Sequence, residues 1–186
     1  MKRFILISMV SFFFGAHVSA QNNTALSSWK TYTNDKYGFS FQYPSEWTKY
    51  GKEANVIDKT GSIVAIRVDF IRRSTRTTIL IEYHLAPHGD RLYQYAVSQY
   101  NSSKGWYEKG GKEIQVAGSK AVEAFTTINI DGRGNAINPP IRIILVNFLD
   151  KQKTGSIDLK FTTPLPHDDI EVAKFTKLLS TFKFSD

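Results

Sequence analysis

The sequence predicts an α+β domain in which a mainly antiparallel β-sheet is flanked by helices. Several segments alternate apolar and polar residues with period two, which is typical of half-buried strands. Two other segments repeat apolar residues at helical spacing. Strands and helices do not alternate regularly, as they would in a parallel βαβ protein. We therefore expect one mainly antiparallel sheet with helices inserted between its strands.

Residues 1–20 are expected to be a secretory signal peptide. Lys2 and Arg3 precede an apolar run over Phe4–Gly15, and Val18–Ala20 supplies the small residues of a cleavage site. The run is short for a membrane-spanning helix, and polar residues follow it. We expect the chain to be cleaved near the end of this segment. The mature protein would then be periplasmic or secreted, with no transmembrane segment.

The remainder is predicted to be a polar leader at residues 21–30 and a single domain at residues 31–186. The domain is long enough to bury its own core. The chain has no cysteine, which excludes disulfides, thiolate chemistry and a lipid-modified N-terminal cysteine. With 24 basic and 17 acidic residues, the net charge is +7. A basic balance of this size favours anionic partners only weakly.

The first predicted strand lies in YGFSFQYPSEW, at Tyr37–Trp47. Aromatic residues alternate with small or polar ones up to Pro44, which ends the strand because it has no N–H to donate. We expect Trp47 to fold back under the sheet. The alternating rings form either a ligand-binding face or a core face. Burial of each ring is worth about 1.5–3 kcal/mol, which favours the core. The rings on the shared face are Tyr37, Phe39, Phe41 and Tyr43.

Seven further segments are predicted to be strands from their alternation or their β-branched and apolar content. The segment Ile141–Leu149 is almost continuously apolar, so we expect it to be central in the sheet. The sequence Ala117–Lys120 is a hairpin turn signal between two of the segments. The predicted strands are Ala54–Ile57, Ser62–Phe70, Thr77–Leu85, Glu113–Val116, Ala121–Ile130, Ile141–Leu149 and Ser156–Thr162.

Two helices are predicted. The first is capped by Asp90 and ended by Gly105, and the second is capped by Asp168. Each has an apolar stripe at helical spacing. The stripes comprise Leu92, Tyr93, Ala96, Val97 and Tyr100 in the first helix, and Ile170, Ala173, Leu178, Leu179 and Phe182 in the second.

The opening motif, with Tyr32 followed by DKYGFSFQYPSEW at Asp35–Trp47, resembles the start of PsbP-like domains. This family includes a photosystem oxygen-evolving subunit and many exported bacterial proteins. The later order of strands and helices agrees over residues 31–184. The resemblance implies an α/β/α sandwich with an antiparallel sheet. It also implies a binding or scaffolding role without catalysis.

Metal ligation has one weak candidate site, formed by His84, His88 and Asp90. Pro87 prevents these residues from pairing on a helix. Four residues along a regular strand would separate the two imidazoles by about 13 Å, and only a bend at Pro87 and Gly89 would close that gap. We therefore expect surface histidines and no tight zinc site, and no cofactor is assigned.

The candidate partner-binding residues are arginines. Arg72, Arg73 and Arg76 bring three guanidinium groups into five residues. They have to lie at the surface or meet acidic groups, because an unpaired buried charge is too costly. Arg133 lies within Asp131–Asn138, where glycines predict a mobile hairpin tip. These residues indicate an acidic protein or an anionic envelope component as the partner. Most other basic residues are scattered, so no nucleic-acid partner is expected.

The sequence predicts a non-enzymatic exported accessory or binding domain. The alternative is a periplasmic protein that binds a small ligand or a metal ion in a pocket between the sheet and the helices. A hydrolase is least favoured, because no Ser/His/Asp set or carboxylate pair occurs in a recognisable setting.

Overall fold

Two antiparallel β-sheets form the protein in the computed structural model, which describes residues 28–85, 93–98, 109–150 and 155–185. Within these ranges the strands are β1 (Trp29–Asn34), β2 (Phe39–Pro44), β3 (Thr48–Ile57), β4 (Ile63–Arg72), β5 (Thr77–His84), β6 (Lys109–Val116), β7 (Ser119–Ile130), β8 (Ala136–Leu149), β9 (Ser156–Pro164) and β10 (Lys183–Phe184).

The larger sheet has the order β3-β4-β5-β9-β8-β7-β6, and the smaller sheet has the order β1-β2-β10. Every strand pair is antiparallel, which confirms the predicted mainly antiparallel architecture. The interior position of β8 agrees with the nearly continuous apolar sequence Ile141–Leu149. The strand β1 begins at Trp29, inside the segment that was expected to be a polar leader.

The seven-stranded sheet has two distinct ends. The β4–β5 and β7–β8 connections lie at one end, because Arg72 pairs with Thr77 and Ile130 pairs with Ala136. The β6–β7 turn lies at the other end, where Val116 pairs with Ser119.

Helical residues are few in the described ranges. They comprise residues 93–98, a 3-10 turn at Leu165–His167 and the C-terminal helix Asp168–Ser180. The prediction that Asp168 caps the second helix is wrong. The N-cap position is held by His167, which makes no side-chain capping bond. The cap and end of the first predicted helix lie outside the described residues.

The apolar stripe of the C-terminal helix is only partly the predicted one. Leu178 and Leu179 are buried, and Phe182 is buried just beyond the helix. Ile170 and Ala173 were placed on the stripe, but both are exposed. The buried face instead comprises Glu171, Phe175 and Leu178. Phe175 and Leu178 follow Glu171 by four and seven residues, so all three lie on one side of the helix.

The aromatic face of the first predicted strand is core, as expected. Phe39 and Phe41 are buried on β2, and both rings stack on Phe182 with centroids 5.6 Å and 5.4 Å away. Tyr37 and Tyr43 are half-buried at either end of this row. Trp47 is buried as well, which confirms that it folds back onto the core. The opening aromatic stretch therefore joins the small sheet to the closing segment of the chain.

Residues on alternate positions of β7 and β8 face different apolar clusters. Ile144 and Phe148 belong to the main core, together with the C-terminal helix. Leu145 and Ala124 belong to a second cluster, which is completed by Ala96 of residues 93–98. Since neighbouring strand residues point to opposite faces, the two clusters lie on opposite sides of the sheet.

A close approach between β5 and β9 requires glycine at position 155. A Cβ atom there would lie 2.6 Å from Tyr83 Oη and 2.7 Å from the His84 carbonyl oxygen. The Tyr83 hydroxyl occupies this space, and it donates a buried hydrogen bond to Asp150 Oδ2 over 2.9 Å. Burial and the Asp150 carboxylate raise the pKa of Tyr83. The hydroxyl therefore stays protonated and holds this end of the sheet together.

Within the described ranges, none of the helices is both long enough and apolar enough to span a bilayer.

Candidate functional site

The turn between β4 and β5 is held in a defined conformation. The Arg76 amide donates to the Arg73 carbonyl oxygen over 3.4 Å, and Arg76 has φ 57°. Positive φ is uncommon for a long side chain and has to be maintained by its surroundings. The buried hydroxyl of Thr77 provides this support, because it lies 2.8 Å from Thr75 Oγ1 and 2.9 Å from Thr163 Oγ1. The turn is therefore fixed on the end of the sheet.

Arg72 is directed inward at the base of this turn. Its Nη1 pairs with Glu171 Oε1, and the Glu171 side chain is only 1 % exposed. Glu171 also accepts a hydrogen bond from Trp47 Nε1 over 3.1 Å and another from Lys174 Nζ over 3.0 Å. A buried carboxylate needs this number of donors. Arg72 is thus committed to the core and acts as an anchor.

Lys174 extends the network to the surface, where its Nζ lies 2.8 Å from Glu46 Oε1. Burial opposes ionisation of Glu46, but the Lys174 hydrogen bond, a backbone hydrogen bond and the charges of Lys174 and Arg72 together outweigh it, so the pKa of Glu46 is lowered overall. The C-terminal helix is therefore tied by charge to the β4–β5 turn and to the segment that follows β2.

Arg73 and Arg76 face solvent on the same turn. Neither takes part in an ion pair within the described part of the chain. The predicted arginine cluster thus separates into one inward anchor and two exposed cations. We call Arg73 and Arg76 the arginine turn.

Arg133 lies at the same end of the seven-stranded sheet, on the β7–β8 turn. The Asp131 carboxylate accepts hydrogen bonds from the Arg133 and Asn135 amides over 2.8 Å and 2.9 Å. A hydrogen bond from the Asn135 side chain lowers the pKa of Asp131 most, and the two amide hydrogen bonds lower it further. The predicted mobile tip is an Asx-type turn with a defined hydrogen-bond pattern. Arg133 is exposed on it.

His84, the described member of the weak metal candidate, lies on the opposite face of β5 from the main core. Its Nε2 is 3.2 Å from Asp158 Oδ2 and 3.5 Å from Glu82 Oε2. The nitrogen makes no hydrogen bond with the described residues, so these are close approaches and not directed bonds. His88 and Asp90 lie outside the described residues. Among the described residues, no group of three His, Asp or Glu side chains is arranged to hold a metal ion.

Glu171 is the structural residue of this site that the sequence interpretation missed. Its spacing to Phe175 and Leu178, four and seven residues later, was the available signal, because it places the carboxylate on the apolar side of the helix.

No protein-family model matches the sequence, and no curated protein matches it. Several solved structures are similar in fold, and three of them are as follows. The cyanobacterial PsbP protein CyanoP of Synechocystis sp. PCC 6803 has a TM-score of 0.54 and 14 % identity, and the alignment covers 90 % of this chain and 98 % of that one. The Saccharomyces cerevisiae Ran-binding protein Mog1p has a TM-score of 0.52 and 9 % identity, with 86 % and 97 % covered.

The third is LpqN of Mycobacterium tuberculosis, which is described as involved in cell envelope biogenesis. It has a TM-score of 0.52 and 8 % identity, with 86 % of this chain and 91 % of that chain covered. At these identities the likeness shows the fold alone. The chain has the PsbP-like fold, as the opening motif predicted.

Proposed function

We propose that this protein is a non-enzymatic exported accessory domain that binds an acidic protein or an anionic envelope component. The contact surface is the arginine turn, Arg73 and Arg76, with Arg133 at the same end of the sheet. Export rests on the signal peptide predicted at residues 1–20. Intact-mass analysis of the exported protein, with a mature N-terminus at Gln21, tests that part of the proposal.

The single observation that carries the proposal is the contrast within the arginine cluster. Arg72 is paired with a buried carboxylate, whereas Arg73 and Arg76 are exposed without an ion pair in the described chain. The anchor and the threonine hydroxyls position the turn before any partner arrives. An ordered turn loses less backbone conformational entropy than a flexible one when its arginines bind carboxylate or phosphate.

The fold is consistent with this role. One of the three similar structures is a Ran-binding protein, one is described as involved in cell envelope biogenesis, and none of the three is named as an enzyme. Helix packing on both faces of the large sheet would make the domain the α/β/α sandwich that the resemblance implies.

The alternative is a protein that binds a small ligand or a metal ion. One observation favours it, an open cleft at the end of the large sheet opposite to the arginine turn.

The test is capture of partners by chemical crosslinking in the native exported fraction. The wild type is compared with an Arg73→Ser/Arg76→Ser double variant and with a Lys52→Ser/Lys59→Ser control, which removes two exposed cations elsewhere. We expect the arginine variant alone to lose its crosslinked partner. Arg72 is left intact, because its loss would expose a buried charge and confuse binding with folding. Equal capture by all three proteins contradicts the proposed surface.

A further inference from the structure

An open cleft of ≈ 960 Å³ lies at the end of the seven-stranded sheet opposite to the arginine turn. The register of β7 and β8 builds one side of it. Ala121 pairs with Phe148, so Lys120 and Leu149 are neighbours in the next row. The strand β10 forms another side, because the Phe184 ring lies 6.2 Å from the Phe148 ring. Tyr93 and Ser119 also line the cleft.

The walls of the cleft combine apolar surface with a few polar groups. Leu149, Phe184 and Tyr93 are each half-buried and present carbon surface to the opening. Burial and the nearby Glu113 carboxylate raise the pKa of Tyr93, so its hydroxyl remains a donor at neutral pH. Sites for small organic molecules have this size and this mixture of apolar walls and few polar groups.

The described residues give the cleft a positive net charge. Lys120 and Lys183 both line it. The only pairing of Lys120 within the described chain is with Glu113 at 3.5 Å, where both side chains are more than two thirds exposed. Such a pair contributes little and can be exchanged for another anion. Lys183 forms no ion pair with the described residues.

The Asp150 carboxylate reduces this charge but does not cancel it, because two lysines stand against one carboxylate among the described lining residues. Asp150 is buried, and its Oδ2 accepts hydrogen bonds from Tyr83 Oη and from the Gly155 amide, both over 2.9 Å. These donors hold it toward the strands and away from a guest molecule. Among the described lining residues, the groups left to meet a ligand are the two ammonium groups, the Tyr93 and Ser119 hydroxyls, the Gln94 amide and apolar wall.

We propose that this cleft binds a small amphiphilic anion. The carboxylate, phosphate or sulfonate head contacts Lys120 and Lys183, and the apolar body lies against Leu149 and Phe184. The site is at the opposite end of the sheet from the arginine turn, and it stands whether or not that turn binds a partner.

The test uses the purified protein and the fluorescent anion 8-anilinonaphthalene-1-sulfonate, with uncharged N-phenyl-1-naphthylamine as its matched probe. We expect saturable one-to-one binding of the anion and much weaker binding of the neutral probe. A Lys120→Gln/Lys183→Gln variant should bind the anion about tenfold more weakly, the effect of two exposed charge contacts of about 0.7 kcal/mol each. The Lys52→Gln/Lys59→Gln control should bind as the wild type does.

A Ser119→Trp variant separates the cleft from general surface charge, because it adds a bulky side chain to the cleft wall and keeps both lysines. We expect it to lose binding, while thermal unfolding shows that it is folded. Decanoate and decyl phosphate should displace the probe, and their relative potency identifies the preferred head group; 1-decanol should not displace it. Undiminished binding in the lysine or Ser119→Trp variant, or equal binding of the two probes, would overturn the proposal.

Discussion

Trp47 Nε1 donates a hydrogen bond to Glu171 Oε2 over 3.1 Å, although the two residues are 124 positions apart in the sequence. This bond joins the end of the first aromatic motif to the C-terminal helix. Because Glu171 also pairs with Arg72, one buried carboxylate links the small sheet, the helix and the base of the arginine turn. The position of the proposed binding surface therefore depends on the core of the protein.

The first prediction concerns this anchor. Arg72→Ala should destabilise the fold by about 3 kcal/mol, because it removes one partner of a buried ion pair. The lower end of the usual range is expected, since Lys174 Nζ remains 3.0 Å from Glu171. Urea unfolding measures the change. The matched control is Arg67→Ala, which breaks only an exposed pair with Asp69 and should cost about 0–1 kcal/mol. Equal effects of the two substitutions would show that Glu171 does not depend on Arg72.

The second prediction concerns the aromatic core. Phe41→Ala should lower the free energy of unfolding by about 3–5 kcal/mol, the usual cost of emptying a buried aromatic position. Phe41 is 1 % exposed and contacts the Phe182, Phe70 and Tyr32 rings. Tyr50→Ala serves as the control, because Tyr50 is 62 % exposed and should change stability by about 0.5 kcal/mol or less. A melting temperature unaffected by Phe41→Ala would mean that this face is free to bind a ligand.

The third prediction concerns acid stability. Tyr32 Oη donates a hydrogen bond to Glu53 Oε1 over 2.6 Å. This bond lowers the pKa of Glu53 below its ordinary value of 4.5; burial acts against it, and Lys49 adds to it. A lowered folded-state pKa contributes stability above the unfolded value, and this contribution is lost as the pH falls through the folded value. Glu53→Gln should therefore be less stable than the wild type at pH 7, and the difference should shrink below about pH 4.5. Urea unfolding at several pH values measures it; a gap that stays constant into the acid range contradicts the assignment.

The fourth prediction concerns metal. We expect calorimetric titration with zinc to show no tight site, because the described His84 imidazole sits against Asp158 and Glu82 without the arrangement of a coordination shell. One-to-one binding that His88→Ala abolishes would restore the candidate formed by His84, His88 and Asp90.

Strands with one buried face could be predicted from the sequence, because burial imposes alternation. Phe39 and Phe41 on β2, and Ile79 and Ile81 on β5, follow that rule. The edge strand β3 was predicted only from Ala54 onward. Its residues are almost all exposed, so no apolar pattern marks where it begins. The prediction missed β1 and β10, whose pairing is set by contacts with β2.

The arginine cluster could be found in the sequence because like charges follow one another there. The sequence could not predict which arginine points inward, because the partner of Arg72 is Glu171, 99 residues away in the chain. The glycines near Asp131 predicted a turn. Its fixed conformation depends on the Arg133 and Asn135 amides, which both donate to the Asp131 carboxylate. Local composition thus indicated the location of the candidate site, and tertiary contacts decided which of its groups remain exposed.

The most direct test of the proposed surface is the affinity for the captured partner as a function of salt. We predict that the dissociation constant of the wild type rises steeply between 0.1 M and 1 M salt, as the Debye length falls from about 10 Å to about 3 Å. The Arg73→Ser/Arg76→Ser variant should bind more weakly at 0.1 M salt, and its dissociation constant should change less with salt. The Lys52→Ser/Lys59→Ser control should bind nearly as the wild type does. Unchanged affinity of the arginine variant, with the same salt dependence as the wild type, would contradict the account.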